Sequence, residues 1–564
     1  MTDQPIEKNG STATLVGLGL IVLALALGTF QAKFPVLLWN SALVTGGSLA
    51  ISLPLGAVVG WLLGWVQVRG RTVWLSLLVA WAATPLIIQV SAWDALWGRL
   101  SWWAAIDQVR YLRWFDGPLA VIWIHGFANL PWAALFFTLS RQWLAGDTER
   151  FGQTRMDLCR TMLLVSFPRL LFVFLTSAVL IGLRTFEQFD VTDVYQVRTW
   201  AEIWYLGFSL GEFDAWSGGI LPSTDQLVRI LGTPSPNIPE AAVPEPIAVT
   251  ERLQLLPTLF TPLLLILGVA IVLANTFRRF LALRENTQEY VTARLNTYSL
   301  VPTTVLLILV AAPMAVQVIN LVIRLGVRAD WQNGEPIVQW TTTHAWEMLT
   351  YSAQDYRDAF QWSMLIGGLA SLLICFLSFS LAWSLRRKPT MRFAAMMLGL
   401  VLLAVPAPLV SLAGYRWINL SDLEIVRTLA ATSVLSPVVA LTTKYFGFGL
   451  LIWSTILSRE ANQREDLLRL SGGTSLTIWW QFGLTRYWPT GLAILVFLTL
   501  VLSGDLATTF ATVPPGMDTL ARRLLGDLHA GAGAQVAAAC LIQSAAIAIG
   551  SLFLGWRLSR DQVN

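Results

Sequence analysis

Runs of about 20 apolar residues recur along this chain from end to end. A helix needs about 20 such residues to cross a membrane, because each residue advances only about 1.5 Å through a hydrocarbon layer about 30 Å thick. Backbone polar groups in that layer must bond inside the protein, so an isolated run of this length is a helix. Twelve runs are readable: residues 12–30, 42–66, 73–93, 117–140, 170–187, 255–277, 299–323, 361–385, 393–413, 429–457, 488–506 and 533–556. Asp3, Glu7 and Lys8 precede the first run and no clear small-residue cleavage site follows it. It therefore reads as a span and not as a signal peptide. Only 13% of the 564 residues are charged and 55% are hydrophobic. Soluble domains carry roughly 25% charged residues, so there is too little charge to coat several of them. The expected fold is an all-α integral membrane protein of about twelve transmembrane helices.

Charge gives the orientation. Basic residues concentrate in cytoplasmic connections. With the N-terminus inside, the inward segments hold 22 of the 38 Lys and Arg, the outward segments 14, and the spans Arg184 and Lys444. Both termini are therefore expected in the cytoplasm of a bacterial-type inner membrane. The net charge of +4 is sorted by membrane side and calls for no nucleic-acid partner; lipid is the expected surrounding. Residues 190–254, with the Pro-rich stretch GTPSPNIPEAAVPEPI, read as a long external loop.

Several chemistries are excluded. Cys159, Cys375 and Cys540 are too scattered for a disulfide framework, and His125, His344 and His529 too few for a His-rich metal site. None of the four Lys follows a Gly, so the chain has no phosphate-cradling Gly-Lys-Ser/Thr. No nucleophile–base pair is readable. The chain reads as a non-enzyme without a cofactor.

An internal repeat organises the spans. At an offset of 317, Glu149 falls on Asp466, Phe167 on Leu484, Gln188 on Asp505 and Thr192 on Thr509. At an offset of 322, Ser41 falls on Ser363, Gly46 on Gly368 and Trp61 on Trp383. Six spans separate the copies, so both enter the membrane in the same sense, as parallel repeats do. The expected halves are residues 1–297, with a core at 36–277, and 298–564, with a core at 358–557.

The inward loops 141–169 and 458–487 are too long for simple hairpins. The second reads REDLLRLSGGTSLTIWWQFGLTRYWP, and Gly472-Gly473 is suited to a positive-φ turn after a short helix. This loop resembles the EAA loop of binding-protein-dependent ABC importer permeases. That pattern is Glu-Ala-Ala, three residues, Gly, then about a dozen residues to Leu-Pro. Asp466 stands at the acid, Gly472 at the Gly and Leu484 at the Leu, while Thr485 replaces the Pro. The first loop has Glu149 at the acid, Arg155 where Gly is expected, and Phe167-Pro168 at Leu-Pro. The stretch LSGDLATTFATVPPGMDTLARRLLGDLHAGAGAQVAAACLI is similar to the last spans of fused iron(III)- and thiamine-type permeases. The resemblance implies a type I importer fold with both halves in one chain. It implies two ATP-binding cassette ATPase subunits docked on the loops through Glu149, Arg155, Phe167, Pro168, Asp466, Gly472, Gly473 and Leu484. An external substrate-binding protein would deliver iron(III), thiamine, a phosphonate, a polyamine or a sugar.

Polar groups inside or at the ends of spans are costly and often functional. Gln188 and Asp190 after span five, and Asp505 and Thr509 after span eleven, are candidates for a gate or pathway, with Arg184 and Glu187 beside them. Snorkelling at a membrane boundary is the alternative. Lys444 sits deeper, in span ten. Gln89, Asn129, Gln317, Asn320 and Gln543 read as interhelical hydrogen-bonding groups. A twelve-span, two-half plan also fits an ion-coupled secondary transporter, of which VRGRT after span two is a faint echo.

Overall fold

The computed structural model describes residues 34–66, 68–98, 101, 115–144, 167–202, 205, 268, 300–332, 335–419, 424–457, 469–470, 472 and 474–560. Among these, seven helices are long and apolar enough to cross a membrane, and an eighth span is counted if one bent pair crosses as a unit. The protein is a multi-pass membrane protein, and its described residues are almost wholly helical. The expected spans 12–30 and 255–277 lie outside the described residues, apart from residue 268.

Three expected spans are not continuous helices: the run 429–457 is interrupted at 433–434, between Glu424–Thr432 and Leu435–Leu457, and two others break at a proline. The run 73–93 divides into Arg71–Ala83 and Leu86–Trp97, bent by 94°. The run 393–413 divides into Pro389–Ala404 and Ala407–Asn419. The cause is the same in these two proline breaks. Thr84 and Val405 each precede a proline, whose ring disfavours the helical region for the residue before it. Thr84 accordingly takes φ −67°, ψ 120° and Val405 takes φ −67°, ψ 123°. A hydropathy reading sees only the apolar side chains on either side.

The other described spans fall on the expected runs, with ends shifted by up to eight residues. Helix Phe34–Trp65 packs along Gly117–Leu144, and Arg357–Leu385 packs along Leu435–Leu457. Phe167–Phe186 lies against both members of the first pair. Thr485–Leu502 packs on Arg357–Leu385, with Leu498 and Trp453 buried between helices of that group. The last helix, Gly533–Arg560, packs on Arg71–Ala83, so Ile547 and Leu554 share a core with Leu78 and Trp81.

Helix 300–326 shows how the membrane reverses the usual pattern. Leu300, Val301 and Ile319 face outward, while Gln317, Asn320 and Arg324 are buried. Arg324 pairs at 3.4 Å with Asp94 of helix Leu86–Trp97, the second part of the bent pair. After this helix comes an unexpected antiparallel hairpin, Val327–Gln332 with Glu335–Trp340.

Two hydrogen bonds tie segments that follow a span back to the start of a packed helix. Ser41 Oγ accepts from Trp200 N at 3.0 Å, and Ser363 Oγ accepts from Leu520 N at 2.8 Å. All four residues are buried. Helix Leu520–His529 is further fixed by Arg523, which bonds the Asp355 carboxylate at 2.7 Å.

Candidate functional site

The proline breaks and the ends of two spans meet around one cavity of about 110 Å³. Residues before position 191 and after position 402 both line it, so it lies between the two parts of the chain. Helix 167–186 ends at Glu187, Gln188 and Asp190 on its wall, and helix 485–502 ends at Gly504 and Asp505. The Thr84–Pro85 break and Leu403, beside the second break, complete the contact.

Lys444 is almost completely buried, 1% exposed. Burying a charge is unfavourable unless it is paired and hydrogen-bonded. Its ammonium donates to the Glu187 carboxylate and to the backbone carbonyls of Leu403, at 2.8 Å, and Val405, at 2.7 Å. These carbonyls are open because helix Pro389–Ala404 ends at the break before Pro406, and the last carbonyls of a helix have no intrahelical donor. A cation at a helix C-terminus also meets the negative end of the helix dipole. One lysine thus satisfies the end of a broken helix and a carboxylate from the other part of the chain.

Asp505 and Arg184 have their own partners. The Asp505 carboxylate accepts from the Tyr445 hydroxyl, from Thr508 N at 2.7 Å and from Thr508 Oγ1 at 3.1 Å. Arg184 donates to Asn129 Oδ1 at 3.4 Å and lies 4.7 Å from the centre of the Trp132 ring, a cation–π contact. Asn129 donates in turn to Thr185 Oγ1 at 2.9 Å. Two acceptors are left over: Gln188 Oε1 and Asp190 Oδ1 are buried with no hydrogen-bond partner. Gly504 packs directly on Pro85, and a Cβ there would lie 2.2 Å from the ring.

The cavity gathers Gln188, Asp190, Lys444 and Asp505 from the expected gate set. Thr509 stands just beyond, its hydroxyl donating to Asp505 O at 2.6 Å. Tyr445 had drawn no attention in the sequence, where a tyrosine in an apolar run carries no signal. Among the expected interhelical groups, Asn129 links two helices, and Gln89 bonds Trp81 and the Thr84 carbonyl within the bent segment. Gln317 Nε2 and Gln543 Nε2 are buried without a partner, so those amide donors do not make the expected bonds.

Of the expected coupling residues, Glu149, Arg155, Asp466 and Gly473 lie outside the described residues. Phe167 and Pro168 open helix 167–186. Gly472 has φ 87°, the left-handed value that glycine takes most readily. Leu484 closes a π-helical segment, Trp479–Leu484, that continues the short α-helix Ser475–Ile478 and runs directly into helix Thr485–Leu502. Beyond this region, buried Glu202 accepts from Thr199 N, and burial pushes its carboxyl up to about 7.

No protein-family model, curated protein or solved structure matches the chain.

Proposed function

We propose that the protein is the permease subunit of an ATP-driven, binding-protein-dependent ABC importer, with both transmembrane halves fused in one chain. The observation that carries this reading is the convergence of two helices. Helix 167–186 and the helical stretch from Ser475 to Leu502 each follow a long EAA-like loop, and each ends on the wall of the same cavity. A displacement of either loop would be carried along a rigid helix to the cavity. In this reading two separate ATPase subunits dock on the loops, an external binding protein delivers the substrate, and the chain itself catalyses no covalent step. ATP binding would draw the loops together and change which side of the cavity is open.

The two-half organisation is part of the proposal. It is supported by the paired bonds Ser41–Trp200 and Ser363–Leu520, and by the paired breaks at Thr84–Pro85 and Val405–Pro406. Twelve spans, an inner-membrane location and cytoplasmic termini belong to the same reading.

The test is copurification and coupled turnover. The tagged chain should bring down an ATP-binding cassette subunit, and Gly472→Trp should abolish substrate-stimulated ATP hydrolysis while the protein still inserts. A second reading, an ion-coupled secondary transporter, draws on the buried ionisable groups of the cavity. Uptake into proteoliposomes driven by an ion gradient with no ATPase present would favour it.

A further inference from the structure

We infer that the cavity binds a small organic cation carrying N–H donors, such as a primary ammonium or an amidinium. The inference rests on reading the cavity as part of a translocation path, and it names the substrate class that path would admit.

The charge balance comes first. Glu187, Asp190 and Asp505 line the cavity against Arg184 and Lys444. Lys444 is committed to Glu187 and two carbonyls. Tyr445 and Thr508 serve Asp505, while Asn129 and Trp132 hold Arg184. Asp190 is left over. It is 4% exposed, and its Oδ1 has no partner. Gln188 Oε1, two residues away on the same wall, has none either. Buried polar groups are normally hydrogen-bonded. Both unmatched atoms here are acceptors, so a ligand completes them with donors, and the odd carboxylate asks for a positive charge.

The remaining walls select the kind of cation. Trp132, Phe136 and Phe448 line the cavity with aromatic surface, which favours a cation that also has an apolar body. Among the described residues, no group of three or more His, Cys, Asp or Glu is arranged to hold a metal ion. A bare metal ion would find too few ligands, whereas an ammonium needs only one or two acceptors.

The experiment is calorimetric titration of the purified full-length chain with benzylammonium, its uncharged isostere benzyl alcohol, and potassium. Benzylammonium should bind at least tenfold more tightly than either of the others. Asp190→Asn should weaken that binding at least tenfold with thermal unfolding unchanged, and Gln188→Leu should weaken it as well. If Asp190→Asn does not fold, Gln188→Leu decides. Equal binding of the alcohol, no binding of benzylammonium, or binding untouched by both substitutions overturns the inference. The titration needs no ATPase, so the two readings fail separately. Benzylammonium binding in a chain that captures no ATPase would remove the importer reading alone, and capture without binding would remove only this one.

Discussion

Lys444 and Glu187 are 257 residues apart in the chain, yet the ammonium of one is bonded to the carboxylate of the other inside the protein. The pair joins the middle of helix 435–457 to the end of helix 167–186. It also closes the carbonyl end of helix 389–404 at its proline break. An ion pair so placed fixes how the two parts of the chain meet.

Removing one member of this pair should be costly. Lys444→Met leaves a buried carboxylate and two carbonyls unmatched, and losing one partner of a buried pair costs about 3–5 kcal/mol. Thermal unfolding in detergent should show a large drop for Lys444→Met and for Glu187→Ala. The double variant Lys444→Met/Glu187→Leu should recover part of it. A double variant no more stable than the worse single one would contradict the pairing.

The two serine bonds give a matched test of the repeat. Ser41→Ala and Ser363→Ala each leave a buried backbone N–H without its acceptor, a loss of about 1–3 kcal/mol. Both variants should be destabilised by similar amounts in the same denaturation assay. A neutral effect at one site and a full effect at the other would count against equivalent roles.

Close approach at Gly504 should tolerate nothing larger. Its added Cβ would lie 2.2 Å from Pro85 Cγ. Overpacking of this kind costs about 1–3 kcal/mol. Gly504→Ala should lower the unfolding temperature and Gly504→Leu should prevent accumulation in the membrane, read by fluorescence-detected size exclusion.

Labelling at the cavity separates a gate from a membrane boundary. If the chain works with ATPase subunits as proposed, Gln188→Cys and Asp505→Cys, with native cysteines replaced, should react with a soluble maleimide at rates that change when nucleotide is trapped in that complex. A gate has different contacts in its two states. The same rate in every state would end the gate reading.

Glu202 supplies a pH dependence. Its folded carboxyl sits at about 7 against an ordinary 4.5, raised by burial. The folded protein therefore binds more protons than the unfolded chain between those values, and stability falls as pH rises through that window. Glu202→Gln should flatten the decline between pH 4.5 and 7, measured by thermal unfolding across that range.

Much of the fold was legible because apolar runs of span length have one solution in a bilayer. The exceptions have physical causes. The break at Pro85 was written in the sequence, but a window that averages hydropathy does not register one missing N–H. The hairpin 327–340 carried a signal in Asn333-Gly334, a pair favoured in two-residue hairpin turns, set among residues that read as an ordinary external connection. The candidate site was legible as polar residues at span ends. Its wiring was not, because the partner of Lys444 is set by how distant helices pack and leaves no local mark. Tyr445 was invisible for the same reason.

The two proline breaks are met by unlike residues. Gly504 rests on Pro85, whereas the break at Pro406 is reached through Lys444 by Glu187. An offset of 317 places Glu187 and Gly504 at one register, so the two crossings are handed different parts. On the proposed two-half reading, two copies of one half could not make both contacts. In that reading, carrying the halves on a single polypeptide fixes their stoichiometry at one to one, and assembly never has to sort like from unlike.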